Sequence, residues 1–131
     1  MPRLDPDTTD AFLRRFHRGR DGRLLGVEAC NARGRVESLT FVLGLRDAEA
    51  GDADTDVRLE LAEVDELRLQ VRPTEDPEML ADGIAIATFG GLTFVDLMPW
   101  TEQPSGVHDF RLSNCYAAGA VLRWDVTQAG G

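Results

Sequence analysis

Three aspartates at alternate positions, Asp52, Asp54 and Asp56, come closest to the spacing of a metal site. A D-x-D-x-D run opens calcium loops, where carboxylate oxygens bind a hard cation, and Glu63 stands at the twelfth position. The sixth position, however, is Val57, where the sharp turn of such a loop requires glycine. We therefore predict no metal site and no cofactor, and we interpret the aspartates as part of a solvated loop.

The two histidines, His17 and His108, are the other groups that suit catalysis or metal binding. His17 stands near the end of a predicted helix, where a cation stabilises the helix dipole. His108 precedes Asp109 in a predicted strand, so the two side chains should point to opposite faces. The sequence predicts no catalytic residue, and His108 remains a candidate binding residue.

Two cysteines, Cys30 and Cys115, stand in apolar, strand-like runs without a CxxC motif. Such cysteines behave as small buried hydrophobes, so we expect free thiols in a reducing compartment. The N-terminus shows no apolar leader, and no run approaches the length of a membrane span. These features predict a cytoplasmic protein.

Asp96 and Asp125 are acids inside apolar strand patterns. A carboxylate is costly to bury unless it is paired, so Asp96 is expected to be half-buried beside Arg111 or Arg123. Asp125 alternates with Trp124 and is expected to face water.

Trp100 is the large aromatic residue that the patterns place in a loop, between Pro99 and Pro104. It either covers one end of the core or serves as an exposed anchor, since aromatic residues on rigid loops dominate binding hot spots. We include Trp100 among the candidate binding residues.

The chain has fourteen arginines, no lysine and twenty-three acidic residues, a formal net charge of −9. Arginine without lysine, together with rare isoleucine, indicates a GC-rich bacterial genome. Nucleic acids and anionic membranes attract basic surfaces, so neither is an expected partner. The segment from Asp47 to Glu66 holds nine acids and one arginine. We expect it to attract a basic protein partner or to take part in self-association, through Asp52, Asp54, Asp56 and Glu60 together with Trp100.

The elements that would position these residues follow from periodicity. Phe12, Leu13 and Phe16 form one stripe of a short helix, so residues 1–22 are expected to be a helical segment packed on a β body. From residue 24 the period becomes two, with a hairpin turn at residues 31–34 and an odd-numbered core face over residues 37–45. Residues 47–56 are predicted as a loop, followed by a strand that breaks phase at Val64.

Gly90-Gly91 predicts a tight hairpin between residues 84–89 and 92–98, which its two apolar faces place at the centre of the sheet. A helical turn is predicted over residues 77–82, and strands over residues 107–116 and 120–126 with a turn near Ala118-Gly119. The whole chain, residues 1–131, is thus expected to be a single mainly β domain. Its architecture would be an antiparallel sandwich or partly open barrel of about seven to nine strands.

These features predict a non-catalytic protein-interaction or structural module, one version being an immunity-type inhibitor that presents acids to a basic toxin or enzyme. A small-ligand-binding β-barrel is the alternative, and a hydrolase-type enzyme is the least favoured class. An apolar cavity would favour ligand binding, and perturbed acids beside a histidine in a cleft would favour an enzyme.

Overall fold

The computed structural model describes residues 2–69, 78–80, 83–99, 101 and 103–127. The helices are α1 (Thr9–Arg15) and α2 (Val107–Arg111). The strands are β1 (Arg3–Leu4), β2 (Gly22–Ala32), β3 (Arg35–Asp47), β4 (Ala53–Leu69), β5 (Glu78–Leu80), β6 (Ala85–Phe89), β7 (Leu92–Asp96) and β8 (Cys115–Thr127). They form one antiparallel sheet in the order β5-β2-β3-β4-β8-β7-β6, with β1 paired to β8. The mainly β fold with a short N-terminal helix is as predicted, and the sheet does not close on itself.

The main core lies on the inner face of the sheet. The odd-numbered residues 39–45 of β3 and 57–61 of β4 are fully buried, as their alternation predicts. Burial of each of these aliphatic and aromatic side chains contributes about 1.5–3 kcal/mol. Helix α1 and the residue that follows it, Phe16, cover this face, and the rings of Phe12 and Phe16 lie 5.1 and 5.7 Å from the ring of Trp124. The inner face is therefore filled by side chains.

The β6–β7 hairpin has the predicted register, with Phe89 opposite Leu92. Its two-residue turn places Gly90 and Gly91 at φ 60° and 81°, a left-handed conformation that suits glycine. The predicted central position of this hairpin is wrong, because β6 is the last strand of the sheet. Both faces of the hairpin are apolar because the main core covers one face and a second cluster of buried residues covers the other.

A second, smaller core covers the outer face of the β6–β7 hairpin. Phe94 of β7 packs against Phe110 of α2 with ring centroids 5.1 Å apart, and Tyr116 and Ala118 of β8 belong to the same cluster. Ile86 and Val95 point to the other side and join the main core. An edge strand can thus carry apolar residues on both faces.

The prediction of a strand over residues 107–116 is wrong, because its first half is helix α2. The carboxylate of Asp109 accepts hydrogen bonds from the backbone N–H and the hydroxyl of Ser105, at 2.7 and 3.2 Å. These bonds hold the start of the helical turn and bring Phe110 under the sheet. The helix over residues 107–111 thus depends on the packing of Phe110 against Phe94 of β7, which is distant in the sequence.

The predicted turn near Ala118-Gly119 is also wrong, since β8 continues through both residues. A Cβ atom at Gly119 would lie 2.6 Å from the carbonyl oxygen of Ala62. Glycine is therefore required here for the close approach of β8 to the irregular part of β4, and it does not mark a turn.

The phase break in β4 is confirmed by a register shift between Val64 and Glu66 and by a left-handed Glu63 at φ 54°. The hairpin turn between β2 and β3 is confirmed as well. Arg33 and Gly34 lie at its tip with φ 54° and 79°. The turn pairs β2 with β3 as predicted, and the phase break lies in the ladder between β4 and β8.

Two other predictions need correction. Residues 47–56 are not all loop, because a tight turn closed by the bond from the Asp52 N–H to the Asp47 carbonyl lets β4 begin at Ala53. The predicted helical turn over residues 77–82 is strand β5 at Glu78–Leu80, while the other residues of that range lie outside the described part of the chain.

Cys115 is buried as expected, but Cys30 is exposed on β2, and both cysteines are free thiols. Cys30 stands near the turn of the β2–β3 hairpin. β5 pairs with β2 only at Gly22–Leu24, and no described strand pairs with the free edge of β2 near Cys30. Among the described residues, neither helix has the length and apolar composition that crossing a membrane demands.

Candidate functional site

Seven of the nine carboxylates in the acidic segment, defined as residues Asp47–Glu66, fall into two groups, and the other two, Glu63 and Asp65, are exposed beside the phase break of β4. The first group contacts basic side chains of the same chain: Asp47 and Glu49 contact Arg15, Asp52 contacts His17, and Glu66 contacts Arg111. Asp47 is buried and Glu66 is half-buried in these contacts, whereas Glu49 and Asp52 remain exposed.

The pair between Arg15 and Asp47 is the most buried of these contacts. Nε and one terminal nitrogen of Arg15 each donate to a different oxygen of Asp47 at 3.0 Å. The guanidinium lies 4.9 Å from the centre of the Phe16 ring and 5.3 Å from that of Trp124. The hydrogen bonds from Arg15 lower the pKa of Asp47 below its ordinary value. The pair fixes α1 to the end of β3.

Asp52, a predicted binding residue, faces His17. Nε2 of His17 lies 2.7 Å from Oδ1 of Asp52, and both side chains are exposed. His17 follows Phe16, the C-cap residue of α1, and its left-handed backbone at φ 53° turns the chain after the helix. Within the described ranges, no group of three or more His, Cys, Asp or Glu side chains is placed to hold a metal ion.

The second group, Asp54, Asp56 and Glu60, lies on one solvent-facing surface. We call this surface the outer sheet face, formed by the even-numbered residues 38–46 of β3 and 54–62 of β4 with their neighbours on β2 and β8. The three carboxylates alternate with the buried odd-numbered residues of β4 and form no ion pair with any described residue. Three of the predicted binding residues thus lie on the same face of β4.

Arginines share the outer sheet face with these acids. Arg46 stands opposite Asp54, and Arg123 stands opposite Glu60. Arg58 lies between them on β4 and reaches Glu28 of β2 at 3.9 Å, a long and exposed contact. The outer sheet face therefore carries both signs of charge, with small residues such as Gly44 between them.

The structure separates the remaining candidate residues from this face. His108 is exposed on α2, which packs on the second core, and its neighbour Asp109 bonds to Ser105. The prediction that His108 and Asp109 belong to a strand is wrong, because residues 107–111 form α2. Trp100 lies outside the described residues, so its predicted role stays a prediction.

Asp96 is a buried acid whose environment differs from the prediction. It is 2% exposed, and one oxygen, Oδ1, accepts from the Ser113 hydroxyl at 2.6 Å and from the Met98 N–H at 2.9 Å. The partner is a serine from the turn before β8, and neither Arg111 nor Arg123 contacts it among the described residues. Burial raises the pKa of Asp96, which the two hydrogen bonds oppose.

The Asp96–Ser113 contact joins the end of β7, the segment at Met98 and the turn before β8, and it is closed to solvent. The Cys115 N–H donates to the Ser113 hydroxyl at 3.0 Å, which leaves Ser113 fully engaged. Ser113 is 4% exposed, so its oxygen is not accessible to a substrate in this conformation. The arrangement anchors the chain between β7 and β8. The apolar context of Asp96 in the sequence signals its burial but not its partner.

A groove with a volume of about 420 Å³ runs along the edge of β6. One wall is residues 85–88 of β6, the opposite wall includes Thr9 and Leu13 of α1, and Gln103 and Pro104 lie at the rim. Sequence periodicity could not predict this groove, because it arises where two elements distant in the sequence approach each other.

No protein-family model, curated protein or solved structure matches this chain.

Proposed function

We propose that this protein is a non-catalytic protein-interaction module that binds a protein partner through the outer sheet face. The observation that supports the proposal most is the arrangement of Asp54, Asp56 and Glu60. These carboxylates lie on the solvent side of one strand, Asp54 exposed and the other two half-buried, and none forms an ion pair with a described residue. The carboxylates of the first group contact basic side chains of the same chain. Charges held on a rigid strand lose little conformational entropy on binding.

The partner in this proposal presents arginine or lysine side chains opposite the three carboxylates. Because Arg46, Arg58 and Arg123 stand among the acids, a uniformly basic surface would meet repulsion as well as attraction. A partner with a matching pattern of both signs is favoured instead. Such a pattern gives selectivity in addition to faster association.

The non-catalytic part of the proposal draws on how the chemically versatile side chains are used. Ser113 is buried against Asp96, and His17 contacts Asp52. An inhibitor of a basic enzyme or toxin is one form that this function takes. The proposal treats residues 1–131 as one domain that acts in the cytoplasm.

A photo-crosslinking experiment tests the proposal. A benzoylphenylalanine side chain is placed at Thr40, which lies between Glu28 and Glu60 on the outer sheet face. The matched control carries the same group at Ala11, an exposed residue of α1. In cells that produce the protein, we expect one discrete crosslinked partner from Thr40 and none from Ala11.

The purified partner then allows a charge-matched comparison. One variant combines Asp54→Asn, Asp56→Asn and Glu60→Gln. The control combines Asp7→Asn, Asp21→Asn and Glu37→Gln, three exposed acids outside that face, so both variants change the net charge from −9 to −6.

We expect the first variant to weaken binding at least tenfold, about 1.4 kcal/mol, and the control to have less than a threefold effect. Equal losses in both variants would show that only bulk charge matters, and equal crosslinking from Thr40 and Ala11 would contradict a binding face. Should the crosslinked partner be a second copy of the chain, self-association is the interaction that this face performs.

A further inference from the structure

The free edge of β6 presents backbone groups that no described residue satisfies. The Leu97 N–H donates to the Cys115 carbonyl, so odd-numbered residues of β7 bond to β8. In an antiparallel ladder the even-numbered residues of β7 must then bond to β6, and their partners there are the odd-numbered residues 85, 87 and 89. The N–H and C=O groups of Ile86 and Thr88 therefore point away from the sheet, toward the groove.

One hydrogen bond already continues the pattern at the end of this edge. The Ile84 N–H donates to the Arg18 carbonyl at 2.7 Å, as the first contact of an added strand would. Beyond this bond, neither Ile86 nor Thr88 has an outward backbone partner in the described part of the chain. Unpaired backbone groups at an edge are a template for another strand.

The Arg18 carbonyl is held in place by a strained turn. His17 and Arg18 have left-handed backbones at φ 53° and 55°, which is unfavourable for residues with a Cβ. Gly83 permits the contact, since a Cβ at that position would lie 2.3 Å from the Arg18 oxygen. The fold thus maintains an unfavourable conformation that aligns one carbonyl with the edge of β6.

The shape of the groove selects the kind of chain that fits. The edge is recessed between β6 and α1, with Thr9 and Leu13 on the opposite wall. A single extended segment, which rises about 3.3 Å per residue, can lie in this recess. Because α1 forms the opposite wall, the recess suits one extended segment better than the edge of a second folded sheet.

The charges of the groove add a preference for one side chain. Two charged residues line it, Asp10 and Arg18. The Asp10 carboxylate is paired with Arg14 at 2.6 Å, while Arg18 has no ion pair with a described residue. The uncompensated charge of the groove is therefore positive, which favours an acidic residue in the bound segment.

We infer that the β6 edge is a second binding site, separate from the outer sheet face, where an extended polypeptide segment with an acidic residue adds as a strand. Backbone hydrogen bonds to Ile86 and Thr88 supply the affinity, and Arg18 selects the acidic residue. The inference does not depend on the proposed function, because none of its residues lies on the outer sheet face.

A library of random octapeptides displayed on phage is the probe, selected on the intact protein and followed by synthesis of the enriched peptides. We expect enriched sequences that contain an acidic residue. Thr88→Pro removes a backbone donor that faces the groove and leaves the β6–β7 ladder complete. Thr88→Ala is the matched control, because it also loses the 3.2 Å hydroxyl contact with Thr93 but keeps the N–H group.

Thr88→Pro should weaken peptide binding at least tenfold, and Thr88→Ala less than twofold. Arg18→Gln should weaken acidic peptides about as much as replacing their acidic residue with its amide. If Thr88→Pro fails to fold, peptides that are N-methylated at alternate backbone nitrogens provide the same test on the unaltered protein, and one of the two alternations should lose binding.

A library without enriched sequences overturns the inference. Peptide affinity that is unchanged by both Thr88→Pro and N-methylation also overturns the inference. Affinity for acidic peptides that is unchanged by Arg18→Gln overturns the acidic preference. The variant with Asp54→Asn, Asp56→Asn and Glu60→Gln should bind these peptides normally, so failure here is distinguishable from failure of the proposed function.

Discussion

The bidentate pair between Arg15 and Asp47 should be the strongest single electrostatic contact in the fold. Asp47→Asn keeps the size of the side chain but puts an amide nitrogen opposite an arginine nitrogen. Asp47 is 3% exposed, so the substitution breaks a buried half of the pair, while Arg15 keeps its contact with Glu49. Hydrogen bonds to charged groups contribute about 1.5–3 kcal/mol, and breaking a fully buried pair costs about 3–5 kcal/mol. Because Arg15 is about one quarter exposed, we expect a loss of about 2 kcal/mol in the free energy of unfolding at pH 7.

The pH dependence of this loss follows from the lowered pKa of Asp47. The contribution is fully present above the ordinary pKa of an aspartate and disappears as the pH falls through the lower native value. The difference between wild type and Asp47→Asn should therefore shrink as the pH decreases below about 4. Urea unfolding followed by circular dichroism at pH 7 and pH 3 measures both quantities.

Asp10→Asn is the control, because it breaks the exposed pair with Arg14 on the same helix. An exposed pair of this kind contributes less than about 0.5 kcal/mol. A double-mutant cycle that combines Asp47→Asn with Arg15→Gln should give a coupling energy above about 1 kcal/mol. The reasoning is refuted if Asp47→Asn destabilises no more than Asp10→Asn, or if its effect is independent of pH.

Two further substitutions test the interior. Burial raises the pKa of Asp96, so the native state favours the protonated acid and loses stability as the pH rises from the ordinary pKa through the native value. Asp96→Asn keeps an oxygen for the bonds from Ser113 and Met98. It should therefore be at least as stable as wild type at pH 7, with a smaller advantage at pH 4, in thermal melts at both pH values. A loss above about 1 kcal/mol at pH 7 would contradict this account. Gly119→Ala should destabilise the protein by about 2–3 kcal/mol in urea unfolding, because the new Cβ collides with the carbonyl of Ala62. An effect below about 0.5 kcal/mol would show that the two strands can separate freely.

The strands whose pairing is local were predictable from the sequence. The alternation in β3 and β4 gives their core faces correctly, and Gly90-Gly91 gives the register of β6 and β7. Each of these patterns depends on neighbouring residues alone. The phase break near Val64 was predictable for the same reason, because a bulge shifts the alternation within its own strand.

The misjudged segments depend on contacts between residues far apart in the sequence. The helix over residues 107–111 buries Phe110 against Phe94 of β7, a contact that the local pattern does not contain. Gly119 resembles a turn residue until its close approach to β4 is known. Local pattern alone cannot distinguish these cases from the structures that were predicted.

The candidate site was predictable only in part. The composition identifies the acids Asp54, Asp56 and Glu60, and alternation assigns Glu60 to the solvent side. It cannot show that Asp47 pairs with Arg15 or that Asp52 contacts His17, since these contacts cross more than thirty residues of sequence. The sequence does not predict the groove for a similar reason. Predicting it requires the knowledge that β6 is an edge strand and that α1 lies beside it.

The central proposal is tested most directly by NMR chemical-shift mapping. The protein is isotopically labelled, and the unlabelled partner that crosslinking identifies is added to it. The backbone amides that shift on addition of the partner identify the contacted surface without any substitution. We expect the largest shifts around Arg46, Asp56, Glu60 and Arg123, across the outer sheet face. Shifts that avoid this face and gather on α1 or α2 would contradict the proposal that the outer sheet face binds the partner.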